Sequence, residues 1–194
     1  MKVAMSPDLA IDLVRSVRTH SPRDAITKGV TREWFAAYTI PRNEQKVVQH
    51  LGQIDVESFL PVHKSVKIWR NRKRAVVNEP LFPSYVFVRV DSHERLQVLK
   101  TPGVLRIVGN SKGPVPLREP EIEFLRTSLR LEKLEQFDDL VLGERVRIAR
   151  GVMQGLEGKL LRKQDSLRFV LSLELINQHA AVEVDAADLE SLTA

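Results

Sequence analysis

Proline stops at residue 120. All ten prolines lie at or before Pro120, while four of the nine glycines, Gly143, Gly151, Gly155 and Gly158, fall together just beyond it. Proline fixes φ and removes a backbone donor, whereas glycine frees the backbone for tight turns. The two parts of the chain must therefore be built differently. A length of 194 residues accommodates one ordinary domain and one small one. The change falls near residue 137: Leu129–Asp139 (LRLEKLEQFDD) runs from a helical pattern into charged residues and reads as a helix end with a linker. The expected division is an appended arm at 1–32, with a short helix from Pro7 to Val17, a domain at 33–133, a linker at 134–140 and a second domain at 141–194.

In the first domain, Trp34–Ile40 reads as a strand and Arg42–Gln53 as a helix with Val47, Val48 and Leu51 on its buried side. On the same wheel Arg42, Lys46 and His50 form a separate basic face. Val56–Leu60 and Val62–Trp69 read as strands, RNRK as a turn and Ala75–Asn78 as the returning strand of a long hairpin. In Tyr85–Val90, Val86, Val88 and Val90 face one way and Tyr85, Phe87 and Arg89 the other. A helix begins at Asp91, with Glu94 placed to complete a capping box and Leu96 and Leu99 as its buried positions. A further helix starts at Pro120 and carries Ile122, Leu125 and Leu129 on one stripe. This order predicts an α+β sandwich with helices on an antiparallel sheet. In the second domain Glu144–Ala149, Glu157–Arg162, Arg168–Leu173 and Ala181–Val184 are short strands between glycine-rich or polar turns, the pattern of a small closed barrel.

Charge is segregated more sharply than the formal net +5 shows. From Ser58 to Asn78 there is no acid, against Lys64, Lys67, Arg70, Arg72, Lys73 and Arg74. From Phe169 onward there is no Lys or Arg, against Glu174, Glu183, Asp185, Asp188 and Glu190. The hairpin cations read either as a solvated loop or as a contact for a nucleic-acid backbone. Phe82, Tyr85 and Phe87 read either as core or as an outward patch for a protein partner.

Catalytic chemistry has little to work with. No cysteine is present, and the five histidines are isolated from one another, so the residues supply no thiolate, disulfide or clustered metal ligands. GVMQGLEGKL, at Gly151–Leu160, lacks the first glycine and the Ser or Thr of a phosphate loop and leads into a strand, which leaves a tight turn as its role. No serine sits in a nucleophile elbow. The chain reads as a non-enzyme without a cofactor. With Asp8 and Asp12 in its opening residues and no apolar run of membrane-spanning length, it is expected to be cytoplasmic, off the membrane and monomeric.

Several stretches resemble the NusG family of transcription elongation factors. EPLFPSYVFV (Glu79–Val88) is similar to the signature of its amino-terminal NGN domain, with Ser84 where many members have glycine. Trp34 with Phe35 is similar to its opening aromatic pair, TPGVLRIVG (Thr101–Gly109) to its second half-signature, and GERVRIARGVMQGLEG (Gly143–Gly158) to its carboxy-terminal KOW motif. Within the family, YTIPRNEQKVVQHL, the long hairpin and ELINQHAAVEVDAADLE most resemble the specialised, operon-directed antiterminators of the RfaH and UpxY type.

The resemblance implies an NGN domain followed by a small SH3-like KOW barrel. It further implies a factor that docks on the β′ clamp helices of RNA polymerase, reaches toward the β subunit and suppresses pausing or termination. Trp34, Phe82 and Tyr85 match the clamp-helix surface, and Lys46 and His50 match positions on the non-template DNA strand. Met153 and Ile176 match positions that meet ribosomal protein S10. The His-Thr-Thr element of the β-subunit contact is not evident after Asp91, and Met153 stands where phenylalanine is common. RfaH-like members can cover the docking surface with a helical KOW domain; here Val170, Leu171, Leu173, Val182 and Val184 favour strands, so a constitutive barrel is expected. The rival reading is a ribosome-associated or RNA-binding KOW protein, against which the acidic carboxy-terminal end weighs.

Overall fold

The computed structural model describes residues 31–68, 74–130, 134–137, 143–151, 153–163 and 166–192. Nearly all of the expected arm, with its short helix, lies outside them. The first half is built on β1 (Glu33–Thr39), α1 (Glu44–Gln53), β2 (Glu57–Phe59), β3 (Val62–Ile68), β4 (Arg74–Pro80), β5 (Tyr85–Val90), α2 (Glu94–Lys100) and β6 (Val104–Ile107). The short β7 (Gly109–Asn110) and β8 (Gly113–Pro114) lead to α3 (Glu119–Arg130).

The central sheet runs β2-β5-β1-β6, all antiparallel. Its middle strands are apolar nearly throughout because both faces are covered. Phe35, Ala37, Val86, Val88 and Val90 pack with Val47 and Leu51 of α1 and Val98 of α2. Trp34, Ala36 and Phe87 belong to a second cluster with Ile122, Phe124 and Leu125 of α3.

The capping box forms: the Glu94 amide donates to Asp91 Oδ1 at 2.8 Å and the Asp91 amide to Glu94 Oε2 at 3.1 Å. The buried position of α2 is Val98, however, whereas Leu96 and Leu99 are exposed. The helical turns begin at Glu94, and the sheet-facing side is filled by Val98 and by Arg95, whose guanidinium carbon lies 5.3 Å from the Phe35 ring centre. That phase leaves both leucines pointing away.

The second half comprises β9 (Leu134–Phe137), β10 (Glu144–Ile148), β11 (Glu157–Lys163), β12 (Ser166–Leu173), β13 (Gln178–Val184) and β14 (Leu189–Ser191). Two expectations change here. The stretch read as a linker contributes β9, whose backbone pairs with β13 from His179↔Phe137 to Val182↔Leu134. The sheet order β14-β10-β11-β12-β13-β9 is linear, with no pairing of its two end strands among the described residues, where closure was expected. The edge of β13 that closure would protect is occupied by β9 instead. Gly158 shows why that position carries no side chain: an added Cβ would stand 2.5 Å from Phe169 Cζ. Gly151 and Gly155 take φ of 84° and 86°, the turn role read for them.

Ser84 occupies the left-handed region, with φ of 68°. Its amide donates to Glu44 Oε1 at 2.7 Å and its carbonyl accepts from the Thr39 amide at 2.8 Å, so the chain around it is fixed. Left-handed backbone costs a non-glycine residue about 1–2 kcal/mol, partly offset by the extra unfolded-state freedom of glycine. Ser84→Gly is expected to raise the urea midpoint, by about 0.5–1 kcal/mol of stability. Asp91→Ala should remove about 1 kcal/mol by uncapping α2. Hydrogen bonding to the Glu94 amide holds the Asp91 carboxyl below its ordinary value of 3.8. Its stabilising contribution is thus complete above that value and lost as pH falls through the lowered one, a loss that acid titration of Asp91→Ala should lack.

Candidate functional site

Trp34, Phe82 and Tyr85 arrive from β1, the β4–β5 turn and β5 and join one apolar cluster with Phe87. The Phe82 and Phe87 rings meet edge to face at 6.1 Å, and Tyr85 lies 5.3 Å from Tyr38. The strand alternation is as expected, but the aromatic side is not open. Trp34 is 1% exposed and Phe82 0%, with Tyr85 half-buried. A sheet covered on both faces leaves no outward side for such rings.

What covers Trp34 is specific. Its indole Nε1 donates to Glu119 Oε2 at 3.1 Å. The guanidinium carbon of Arg126 stands 4.9 Å from the Trp34 ring centre and 5.3 Å from that of Phe59. Its nitrogens donate to Glu57 Oε1 at 3.2 Å and Glu123 Oε1 at 2.9 Å. Arg126 thus combines two ring faces with two carboxylates.

The second half meets the first across α3. Phe124 lies 5.6 Å from Phe169, and Ser128 Oγ is 3.7 Å from Met153 Sδ. Ile176 is buried in the same cluster as Trp34 and Phe82, and Met153, half-buried, packs against it. The residues expected to meet two separate partners therefore border one continuous core. Beside it runs a cleft of about 440 Å³ whose lining includes Arg118, Glu121, Arg145, Glu157, Lys159 and Glu174. Its charges are balanced: Arg118 pairs with Glu121 at 2.8 Å and Arg145 with Glu157 at 3.4 Å. Glu157 also accepts from Arg147 at 2.7 Å, and this bond pulls its carboxyl below the ordinary range while raising the Arg147 guanidinium.

The described cationic candidates come from three places in the chain: the turn before α1, α1 itself and the start of β4. Arg42 precedes α1 with φ of 65° and is exposed, so it stands off the helical wheel on which it was placed. Lys46 is exposed on α1, and His50 is half-buried with Nδ1 buried and without a hydrogen-bond partner among the described residues. Arg74 opens β4 and is exposed. Arg70, Arg72 and Lys73 lie outside the described residues. Among the described residues no group of three or more His, Asp or Glu is placed to hold a metal ion. No described helix is long and apolar enough to cross a membrane.

Sequence reasoning missed Arg126, Phe124 and Phe169. A signal existed for Phe124: an aromatic off the Ile122–Leu125–Leu129 stripe implies a second buried side. Arg126→Ala should cost about 2 kcal/mol in urea unfolding, and Arg126→Lys should recover only part of it, because an ammonium cannot span both rings and both carboxylates.

Residues 32–126 match the family model described as transcription termination factor nusG. The transcription termination/antitermination protein NusG of Borreliella burgdorferi is 24% identical over 185 residues, covering 84% of this chain and 100% of that protein. The protein of the same name from Lactococcus lactis subsp. lactis is 28% identical over 174 residues, covering 83% and 94%. That from Thermus thermophilus is 29% identical over 147 residues, covering 65% and 79%. Among solved structures, one of Thermotoga maritima NusG, concerned with its domain interaction, aligns over 84% of this chain and 98% of its own, at 19% identity and a TM-score of 0.49. The family match runs from the start of β1 into α3, and the Borreliella and Lactococcus relatives align over more than four-fifths of this chain, so the likeness to NusG proteins extends across both of its halves.

Proposed function

We propose that this protein is a non-catalytic, cytoplasmic transcription factor that binds RNA polymerase during elongation and suppresses pausing or termination, as an operon-directed member of the RfaH and UpxY type. The observation that carries the reading is an alignment spanning the whole of a relative named as a termination/antitermination protein. In this reading Trp34, Phe82 and Tyr85 dock on the β′ clamp helices, while Arg42, Lys46 and His50 face the non-template strand beside them. The second sheet acts as a KOW domain with Met153 and Ile176 toward ribosomal protein S10. Binding the active elongation state more tightly than the paused one shifts the population away from pauses, and catalysis stays with the polymerase.

The shared core adds a condition. Docking rings that are nearly unexposed cannot meet a partner while α3 lies over them, so in this reading the arrangement is a masked state: the second sheet, packed on α3, holds that helix in place, and binding requires α3 to leave the rings. Fully burying such apolar side chains contributes about 1.5–3 kcal/mol each. The polymerase must repay the part of that burial which opening exposes.

Pull-down with purified polymerase and transcription of a pause-containing template test this together. Tyr85→Ala, at a half-buried position, is expected to fold and to lose polymerase binding and the anti-pausing effect. Met153→Glu, which places a charge against α3, is expected to bind polymerase more tightly than the wild type, by about tenfold for each 1.4 kcal/mol removed from the closed state. Wild-type binding by Tyr85→Ala would remove the docking assignment. Unchanged binding by Met153→Glu would remove the masked state.

A further inference from the structure

Among the described residues the ribbon β3–β4 pairs only with itself, as a two-stranded sheet apart from the central one. Its exposure alternates cleanly. Lys64, Val66, Arg74, Val76 and Asn78 are exposed, while His63, Ser65, Ala75, Val77 and Glu79 are half-buried on the opposite side. Val66 and Val76 lie directly across from each other and, at 62% and 66%, are the most exposed large apolar side chains of the described residues. Lys64 pairs with Asn78, and Arg74 stands opposite position 68, so a cation flanks the valine pair at either end on opposite strands. None of the described residues on this face is an acid. A bare β-branched pair inside a cationic frame calls for a partner that is anionic at its margins and apolar between them.

We propose that this ribbon binds across the major groove of duplex DNA, with Lys64 and Arg74 on the two phosphate backbones and Val66 and Val76 against the base edges, where thymine methyl groups supply the apolar contact. The inference deepens the nucleic-acid part of the function proposed above and rests on it only for the presence of DNA. Geometry selects the partner. Four residues along a strand span about 13 Å and the neighbouring strand is about 5 Å away, so the two cations are rooted about 14 Å apart. That matches a major groove about 12 Å wide, which admits a two-stranded ribbon, and exceeds the minor groove, about 6 Å wide. Aliphatic side chains at the centre of the face offer no stacking platform for a single strand. The deep, narrow major groove of duplex RNA would exclude the ribbon.

The test is fluorescence anisotropy of the full chain with a short labelled duplex rich in A·T pairs, over a series of salt concentrations. Val66→Ser with Val76→Ser removes every side-chain methyl group from the centre of the face at two exposed positions, and should weaken binding about fivefold to tenfold with an unchanged salt slope. Replacing thymine by deoxyuridine, which deletes only the methyl group, should weaken wild-type binding and leave the double variant unaffected. Lys64→Gln with Arg74→Gln should lower the slope of log K against log salt by about 2, near 0.9 for each phosphate left without its cation. Equal affinity for an RNA duplex or a single strand of the same sequence, indifference to the methyl group, or an unchanged salt slope would each overturn the proposal. Polymerase pull-down by the serine variant separates the two readings: retained polymerase binding with lost duplex binding assigns the duplex contact to the ribbon alone. Methyl-dependent duplex binding in a chain that fails to bind polymerase leaves the ribbon standing and removes the docking.

Discussion

Helix α3 is the element on which the two halves depend. Taking Ile122 as the origin and about 100° per residue, Leu125 and Leu129 fall near 300° and 340°, whereas Phe124 and Ser128 fall near 200° and 240°. Both arcs are used: the first packs in the cluster of Trp34 and Phe87, and the second meets Phe169 and Met153. A helix with one apolar stripe belongs to one domain. With its apolar surface extended beyond that stripe, α3 makes the core of the first half continuous with that of the second, and no purely polar seam separates them.

The polar groups follow from that burial. Once α3 covers Trp34, its indole N–H needs an acceptor, and Glu119 from the first turn of the helix provides it. Arg126, two turns on, lies between aromatic rings where water is scarce, and Glu57 and Glu123 balance its charge. These contacts tie β1, β2 and α3 together. They also explain how an arginine is accommodated one turn from Ile122, beside the apolar stripe.

Much of the fold was legible in local chemistry. Alternation placed β5 and its two faces, the Asp91–Glu94 spacing placed the start of α2, and the turn glycines between β10 and β11 took the conformations their positions demanded. The errors share a cause. Leu96 and Leu99 were assigned inward because leucine is apolar, but Arg95 and Val98 held the side toward the sheet, and that choice depends on how α2 meets Phe35. The segment around Leu134 read as a linker from its charges, yet its backbone found an unpaired edge on β13, more than forty residues away in sequence. Of the candidate residues, exposure was not readable, since burial of Trp34 and Phe82 is decided by α3 and its ion pairs rather than by β1 or β5.

The placement of β9 governs how far the two halves can travel. Between Arg130, the last residue of α3, and Leu134, the first of β9, lie three residues, a leash whose full extension is on the order of 10 Å. While β9 stays on β13 that short leash holds the second sheet beside α3. Were β9 to leave β13, the next strand along the chain, β10, begins only at Glu144, and the greatest reach from Arg130 to the second sheet would grow to on the order of 45 Å. The pairing of one four-residue strand thus fixes how far the second sheet can stray from α3, and with it the local concentration at which the two surfaces meet.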